Sequence, residues 1–479
     1  MSIYFLISED TISMKYLLFG TGDYYERYKK WFSKNEVIAL LDNSLKKQNT
    51  IIDGIPVLAP EVGINLQYDA IIILSFYVKD MKEQLIKLGV SEKHIYHFFD
   101  LHKLIPCDSK NKPILYFDNA NSIMSKHRCD NKKILLLSHD LTLGGPALAL
   151  FQAATILHRQ GYEIVFASML DGQLRQQLSA VHIPTIVDVN LQVQTMKETK
   201  WVQNFDLIIC NTISFYVFLA DRDVTIPIIW WLHDSSFFYQ GVDKNILKNI
   251  DTTNLTVTSV GPVPQKAYQD YVPNVKVENL LYGVIDAIYD KKSVEKNKSN
   301  KICFTVIGYI EERKGQDILL QAIKQLSLEY IEKVEFYFVG QNTSLLAQQI
   351  EAQIQNMPQI VMTGTVDRDK INKMLEYTDV LICPSREDPM PTVAAEAMMH
   401  KVPCILSDSV GTVTYIEDCK SGLIFENQNV DQLVEKIIWC INNYVDLPQL
   451  GIEARKVYEK VFSMKTFADN ILQFVRRYI

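Results

Sequence analysis

Asp388 and Glu396 stand eight residues apart in the stretch PSREDPMPTVAAEAMMHKVPCILSD, residues 384–408. An apolar run ends at Pro384, and Pro389 and Pro391 stiffen the loop that follows. After Met390 and Pro391 a helix is predicted to start near Thr392 and Val393, with Glu396 in its first turns. The free N–H groups of such a helix start suit a diphosphate, aided by the helix dipole. Glu396 can accept two hydrogen bonds from a ribose diol, and a loop acid can accept the hydroxyls of a sugar. The spacing leaves open whether Glu387 or Asp388 is that acid.

A second segment, VIGYIEERKGQDILLQAI at 306–323, ends a strand at Gly308 and delivers Arg313 and Lys314 just before a helix. Two cations at a helix start can stabilise a diphosphate leaving group, whose charge grows as its bond to a sugar breaks. Further back, SHDLTLGGPALAL puts Gly144 and Gly145 between a strand and a helix, where glycine lets the backbone approach a ligand. His233 follows the apolar strand IIWWL; a histidine at the carboxyl end of a parallel strand points into the crevice of such folds.

The ED-P loop with a glutamate eight residues after its acid, then A-M, resembles the donor-binding signature of family-4 retaining glycosyltransferases. The Gly308 and Lys314-Gly315 element resembles that family's glycine-then-Lys-Gly segment, except that Tyr309 stands where many members have arginine. The resemblance covers about residues 133–479. It implies the GT-B fold, two Rossmann-like domains facing a cleft, and retaining transfer from a nucleotide-sugar of the UDP or GDP type to a glycan or lipid-linked glycan, without a cofactor or metal. The implied catalytic residues are His233, Lys314, Glu387 and Asp388. The implied donor contacts are Gly144, Gly145, Gly308, Arg313, Lys314, Met390, Pro391, Thr392, Val393 and Glu396. Two other classes share parts of this pattern: a GT-B sugar-nucleotide epimerase and a non-catalytic partner subunit of another transferase.

The elements that must position these residues alternate short apolar runs with amphipathic stretches, the grammar of α/β folds with parallel sheets. At 479 residues the chain has room for roughly three domains. We expect a small Rossmann-like accessory domain at 1–105, a linker at 106–132, and an acceptor-side domain at 133–286. A second linker at 287–300, a donor domain at 301–455 and a final helix at 456–479 crossing back to the acceptor side complete the expectation. In the accessory domain, Gly20, Gly22 and Asp42 have dinucleotide-fingerprint spacing, but Tyr25 replaces the third glycine. That block is expected to dock a protein partner or to serve as structure. It is only tethered, so a chain starting near residue 131 should still bind donor.

A net charge of -7 argues against nucleic acid as the main partner. The eight cysteines include no C-x-x-C pair and suit a reducing compartment. No apolar run is long enough to span a bilayer, so a cytoplasmic protein is expected, with peripheral contact at the inner membrane face still open. Asp221 and Asp223 form a D-x-D, read as a polar turn rather than a metal site.

Overall fold

The computed structural model describes residues 14–105, 111–121, 132–288 and 301–479. Cys107, Cys129 and nearly all of the second expected linker lie outside the described residues. Three sheets follow one another along the chain. The first runs in the order Ile51–Ile52, Ile55–Leu58, Val37–Leu41, Tyr16–Phe19, Ala70–Ile73, Ile95–His97. The second has eight strands, ordered Val277–Asn279, Leu255–Ser259, Ile228–Leu232, Leu207–Asn211, Lys133–Ser138, Glu163–Ser168, Thr185–Val187, Leu115–Phe117. The third is ordered Ile360–Gly364, Val334–Val339, Ile302–Ile307, Val380–Cys383, Cys404–Ser407, Leu423–Phe425. The central strands are buried along their whole length, as YLLF, KILLLS and ICFTVI show, because helices cover both faces of a parallel sheet.

In each sheet the chain reverses its direction of winding beside the first long strand. That places an open crevice at the carboxyl ends of Tyr16–Phe19, Lys133–Ser138 and Ile302–Ile307. The two segments singled out around Lys314 and Asp388 are the loops that flank the third crevice. The last helix, Met464–Val475, leaves the third domain and packs on the second. Phe467 stacks on Trp231 with ring centroids 5.6 Å apart, Arg477 pairs with Glu278 at 2.7 Å, and the Tyr478 hydroxyl bonds to Thr256.

Two features differ from expectation. Within 106–132, Leu115–Phe117 is a strand that pairs antiparallel with Thr185–Val187 and closes the second sheet's edge. Three residues are too few to show a period in sequence. The first domain is also more than tethered: Tyr25 and Trp31 share one continuous core with Phe205 and Tyr216 of the second. Its crevice is filled with rings, since Tyr24 meets Phe76 at 4.6 Å and Phe76 meets Phe238 of the second domain at 4.6 Å. Trp31 donates to Gln192, Lys103 pairs with Asp243 at 2.8 Å, and a side chain on Gly241 would overlap the His97 ring. The carboxyl edge of the first sheet, where a Rossmann domain would hold a ligand, is thus docked on the chain itself. Asp42 is likewise engaged by Thr21 of the glycine turn and by Ser44 and Lys47 of its own loop, and Tyr25 lies in the core with its hydroxyl on Asp53.

Candidate active site

Glycine decides how the donor-side wall is built. Gly308 has φ +153° at the end of its strand, and Gly315 has φ +70° at the start of the helix Gln316–Gln325. A Cβ on Gly315 would run into the carbonyl of Pro384, so only glycine lets the Lys314 turn lie against the strand end that launches the acidic loop. The two segments are then knitted together. Arg386 N–H donates to the Arg313 carbonyl at 2.8 Å, and the Arg313 guanidinium donates to the Glu387 carbonyl at 3.2 Å and to Glu311 at 2.7 Å.

This packing separates the two loop acids. Asp388 is 4% exposed and turns inward, with its Oδ2 2.6 Å from Lys314 Nζ. Glu387 turns outward across the cleft, where Ser236 of the opposite wall donates its N–H at 3.0 Å and its hydroxyl at 2.9 Å. The acid that faces the opposing domain is therefore Glu387, while Asp388 neutralises the lysine behind it.

Glu396 is 2% exposed on the helix Thr392–Met399, and Arg368, which opens the helix Arg368–Tyr377, pairs with it. The arginine takes up the Oε1 side, while Oε2 is buried with no hydrogen-bond partner. Of the other helix-start residues, Thr392 faces the glycine loop: a Cβ on Gly145 would come 3.9 Å from its Cγ2. Val393 is half-buried and Pro391 is the N-cap. Met390 is placed differently from expectation. Its side chain is buried against Gly261, it receives the Thr412 hydroxyl on sulfur, and its carbonyl accepts from Tyr282 at 2.9 Å. It packs the two walls together rather than lining open space.

On the second domain, His233 directly follows the strand Ile228–Leu232, its ring tilted against Trp231 with centroids 4.6 Å apart. Burial, with a smaller push from His139, brings its pKa down to about 3, so the imidazole is neutral at physiological pH. Its Nε2 is buried and has no partner. Burial raises the neighbouring Asp234 to about 7, although its carboxylate accepts the Ile213 N–H at 2.7 Å. Beside them the loop leading to Gly144 and Gly145 is built on Asp140, which takes the N–H of Thr142 at 3.1 Å and its hydroxyl at 2.8 Å. Arg27 of the first domain lies 3.2 Å from the same carboxylate.

Sequence reasoning missed Arg368, His139, Asp140 and Arg27. His139 follows its strand as His233 follows its own, so the same strand-end rule finds it. Arg368 and Arg27 carry no local signal. The D-x-D pair is engaged elsewhere: Asp221 pairs with Lys197 at 2.6 Å, and Asp223 accepts the N–H and hydroxyl of Thr225. Among the described residues, no group of three or more histidines, cysteines or acids is placed to hold a metal ion. Nor is any helix among them long and apolar enough to cross a membrane.

Comparison with known proteins agrees with this architecture. Residues 288–457 match the family described as Glycosyl transferases group 1, and 130–261 match Glycosyl-transferase family 4. Residues 12–96 match the family described as C2185-like, N-terminal. An uncharacterized glycosyltransferase of Methanocaldococcus jannaschii is 28% identical over 249 residues, 51% of this chain and 67% of that protein. The poly(ribitol-phosphate) alpha-N-acetylglucosaminyltransferase of Staphylococcus aureus is 25% identical over 246 residues, 50% of this chain and 47% of its own length. Among solved structures, Anabaena HepE in complex with UDP and glucose superposes with a TM-score of 0.62 at 18% identity, covering 72% of this chain and 100% of that one. A glycosyltransferase of Rickettsia africae gives 0.61 at 16% identity, covering 73% and 99%.

Proposed function

We propose that this chain, a GT-B glycosyltransferase with group 1 and family 4 domains behind a C2185-like one, moves a sugar from a nucleotide-sugar to a glycan with retention of configuration. One observation carries the reading. Two loops at the third sheet's switch point present Lys314, Arg313, Glu387 and the helix of Glu396 to a wall holding Gly145 and the unpartnered His233. The Anabaena structure with UDP and glucose supports a nucleotide-sugar donor. The staphylococcal relative, by its name an alpha-N-acetylglucosaminyltransferase acting on poly(ribitol-phosphate), supports transfer of a sugar onto a polymer.

In this reading the diphosphate lies at the start of the helix Thr392–Met399, and Lys314 exchanges Asp388 for it. Glu396 exchanges Arg368 for the ribose diol. Glu387 exchanges Ser236 for hydroxyls of the transferred sugar, and neutral His233 offers Nε2 from the far wall. The acceptor oxygen bonds to the anomeric carbon on the face from which the diphosphate departs. Its proton passes to the leaving phosphate oxygen as the old C–O bond breaks, and Lys314 and Arg313 stabilise the charge that develops. No metal takes part in this scheme.

The test is a thermal-shift panel of UDP- and GDP-sugars on the full chain, followed by product analysis with glycan acceptors. A donor at a hundred times its Kd stabilises the protein by about 2.7 kcal/mol. Glu396→Ala should abolish that shift. If no nucleotide-sugar shifts the melting, or if the product is an altered nucleotide-sugar with no acceptor consumed, the proposal fails.

A further inference from the structure

The three carboxyl edges enclose a cavity of about 720 Å³ at the cleft mouth, lined by all three domains. This is within the range of about 300–1,000 Å³ typical of small-molecule sites. Tyr77 and Asp80 enter it from the first domain, Phe237 from the second, and Glu312 and Glu387 from the third. We infer that this cavity is the outer acceptor subsite and that it takes an uncharged sugar at the end of the acceptor glycan. The inference rests on the transferase reading above and names the chemistry of its acceptor.

Three observations carry it. The first is continuity: Glu387 lines the cavity and also spans the cleft to Ser236, so the space opens directly from the point of sugar transfer. The second is the pairing of ring and acid. Tyr77 is 46% exposed and meets Phe237 edge-on at 5.6 Å, which gives a half-open aromatic wall for the apolar C–H face of a pyranose. Carboxylates around it can accept the hydroxyls on the sugar's rim. The third is charge. The lining carries five acids, Asp80, Asp270, Glu311, Glu312 and Glu387, against the three cations Lys266, Arg313 and Arg386. Asp80 and Glu312 have no ion-pair partner among the described residues. A phosphate-bearing glycan would meet an excess of negative charge here, whereas a neutral sugar meets hydrogen-bond acceptors. The first domain therefore supplies part of the acceptor site through the helix Val78–Lys87 and the residue before it.

The experiment uses the full chain and two probe sets: p-nitrophenyl hexosides (glucoside, galactoside, mannoside and N-acetylglucosaminide) and the 6-phosphates of the same compounds. Binding is read by saturation-transfer NMR with the best nucleotide from the thermal-shift panel present. At least one neutral glycoside should bind, its 6-phosphate should bind at least tenfold more weakly, and Tyr77→Ala and Asp80→Asn should each weaken the neutral ligand about tenfold or more. Both side chains are exposed, so the variants should fold, and the nucleotide-induced melting shift should be unchanged in each. The inference is overturned if the phosphorylated glycosides bind as well as the neutral ones or if the variants keep full glycoside affinity. It is also overturned if nucleotide binds but no glycoside does, or if the variants lose the nucleotide shift, which would assign the cavity to the donor. A wild-type chain that no nucleotide stabilises would instead defeat the transferase reading itself.

Discussion

Replacing Lys314 should damage the protein twice, and the two effects can be separated. In the free protein the ammonium faces Asp388 at 2.6 Å, with side-chain exposures of 20% and 6%. Lys314→Met keeps the apolar stem but strands a carboxylate that solvent barely reaches. Removing one partner of a buried pair costs about 3–5 kcal/mol, and the lysine's partial exposure puts this case near the lower end. For a domain of 150–250 residues each kcal/mol moves the melting temperature by about 2–4 °C, so a fall of roughly 6–12 °C is expected. Asp388→Asn on that background removes the stranded charge while keeping its volume. The double variant should melt within a few degrees of the native protein, giving a coupling energy of about 2 kcal/mol or more in the cycle. Transfer should stay at least about a hundredfold down in both, because the cation proposed to face the leaving diphosphate is still missing. Differential scanning calorimetry and a radiolabelled-donor transfer assay read the two quantities. A single variant that melts within about 2 °C of the native chain, or a double variant that melts as low as the single, refutes the reasoning about Asp388.

Asp234 offers a pH test. Its pKa of about 7 lies above the ordinary value of roughly 3.9 in an unfolded chain, so between these values the native state holds the extra proton. This contribution is complete below about pH 4 and is lost as pH rises through 7. Asp234→Asn should therefore gain stability over the native chain from pH 5 to pH 8, by about 2.6 kcal/mol, since about two units of the shift lie in that range; a difference that does not change with pH would contradict this. Transfer should survive excess EDTA, since Asp221 and Asp223 are held by Lys197 and Thr225. Loss on chelation with rescue by manganese would reinstate them as metal ligands. A chain starting at residue 131 should melt far lower or aggregate, because it lacks the strand Leu115–Phe117 and uncovers Phe237 and Phe238. A soluble, folded truncation that still binds donor would show the first domain to be dispensable.

The division between what could and could not be read from sequence follows the range of the interactions. Lys314 and Glu396 were legible because strand, glycine turn and helix start are encoded within some twenty neighbouring residues, and the crevice position follows from that local order. The choice between Glu387 and Asp388 was not legible, since adjacent residues in an irregular loop have no period. In the structure the two acids are parted by Ser236, 151 positions away in sequence, on one side and by Lys314 on the other. Arg368 is carried to Glu396 by a neighbouring element of the third domain, and no spacing rule links an arginine at a helix start to a glutamate 28 residues later.

The first domain gives the strongest case, because a spacing shared with nucleotide-binding folds, already broken at Tyr25, sits at an edge that the structure uses for docking. Gly20, Gly22 and Asp42 have the spacing of a nucleotide crevice, yet Tyr24, Phe76 and Phe98 fill that crevice with rings 4.6–5.5 Å apart. Aromatic residues at the carboxyl end of a sheet are costly to leave in water, and Phe237 and Phe238 of the second domain cover them. The switch-point geometry that would otherwise seat a ligand becomes a docking face, and it fixes the direction of the domain. With the first sheet's carboxyl edge turned onto the second domain, the residues just beyond the rings, Tyr77 and Asp80, project past the contact and into the cleft mouth. Arg27, from the same edge, reaches the Asp140 loop that carries the two glycines. A domain joined only by a linker could have faced any way; one docked through its ligand crevice must present that edge to the site.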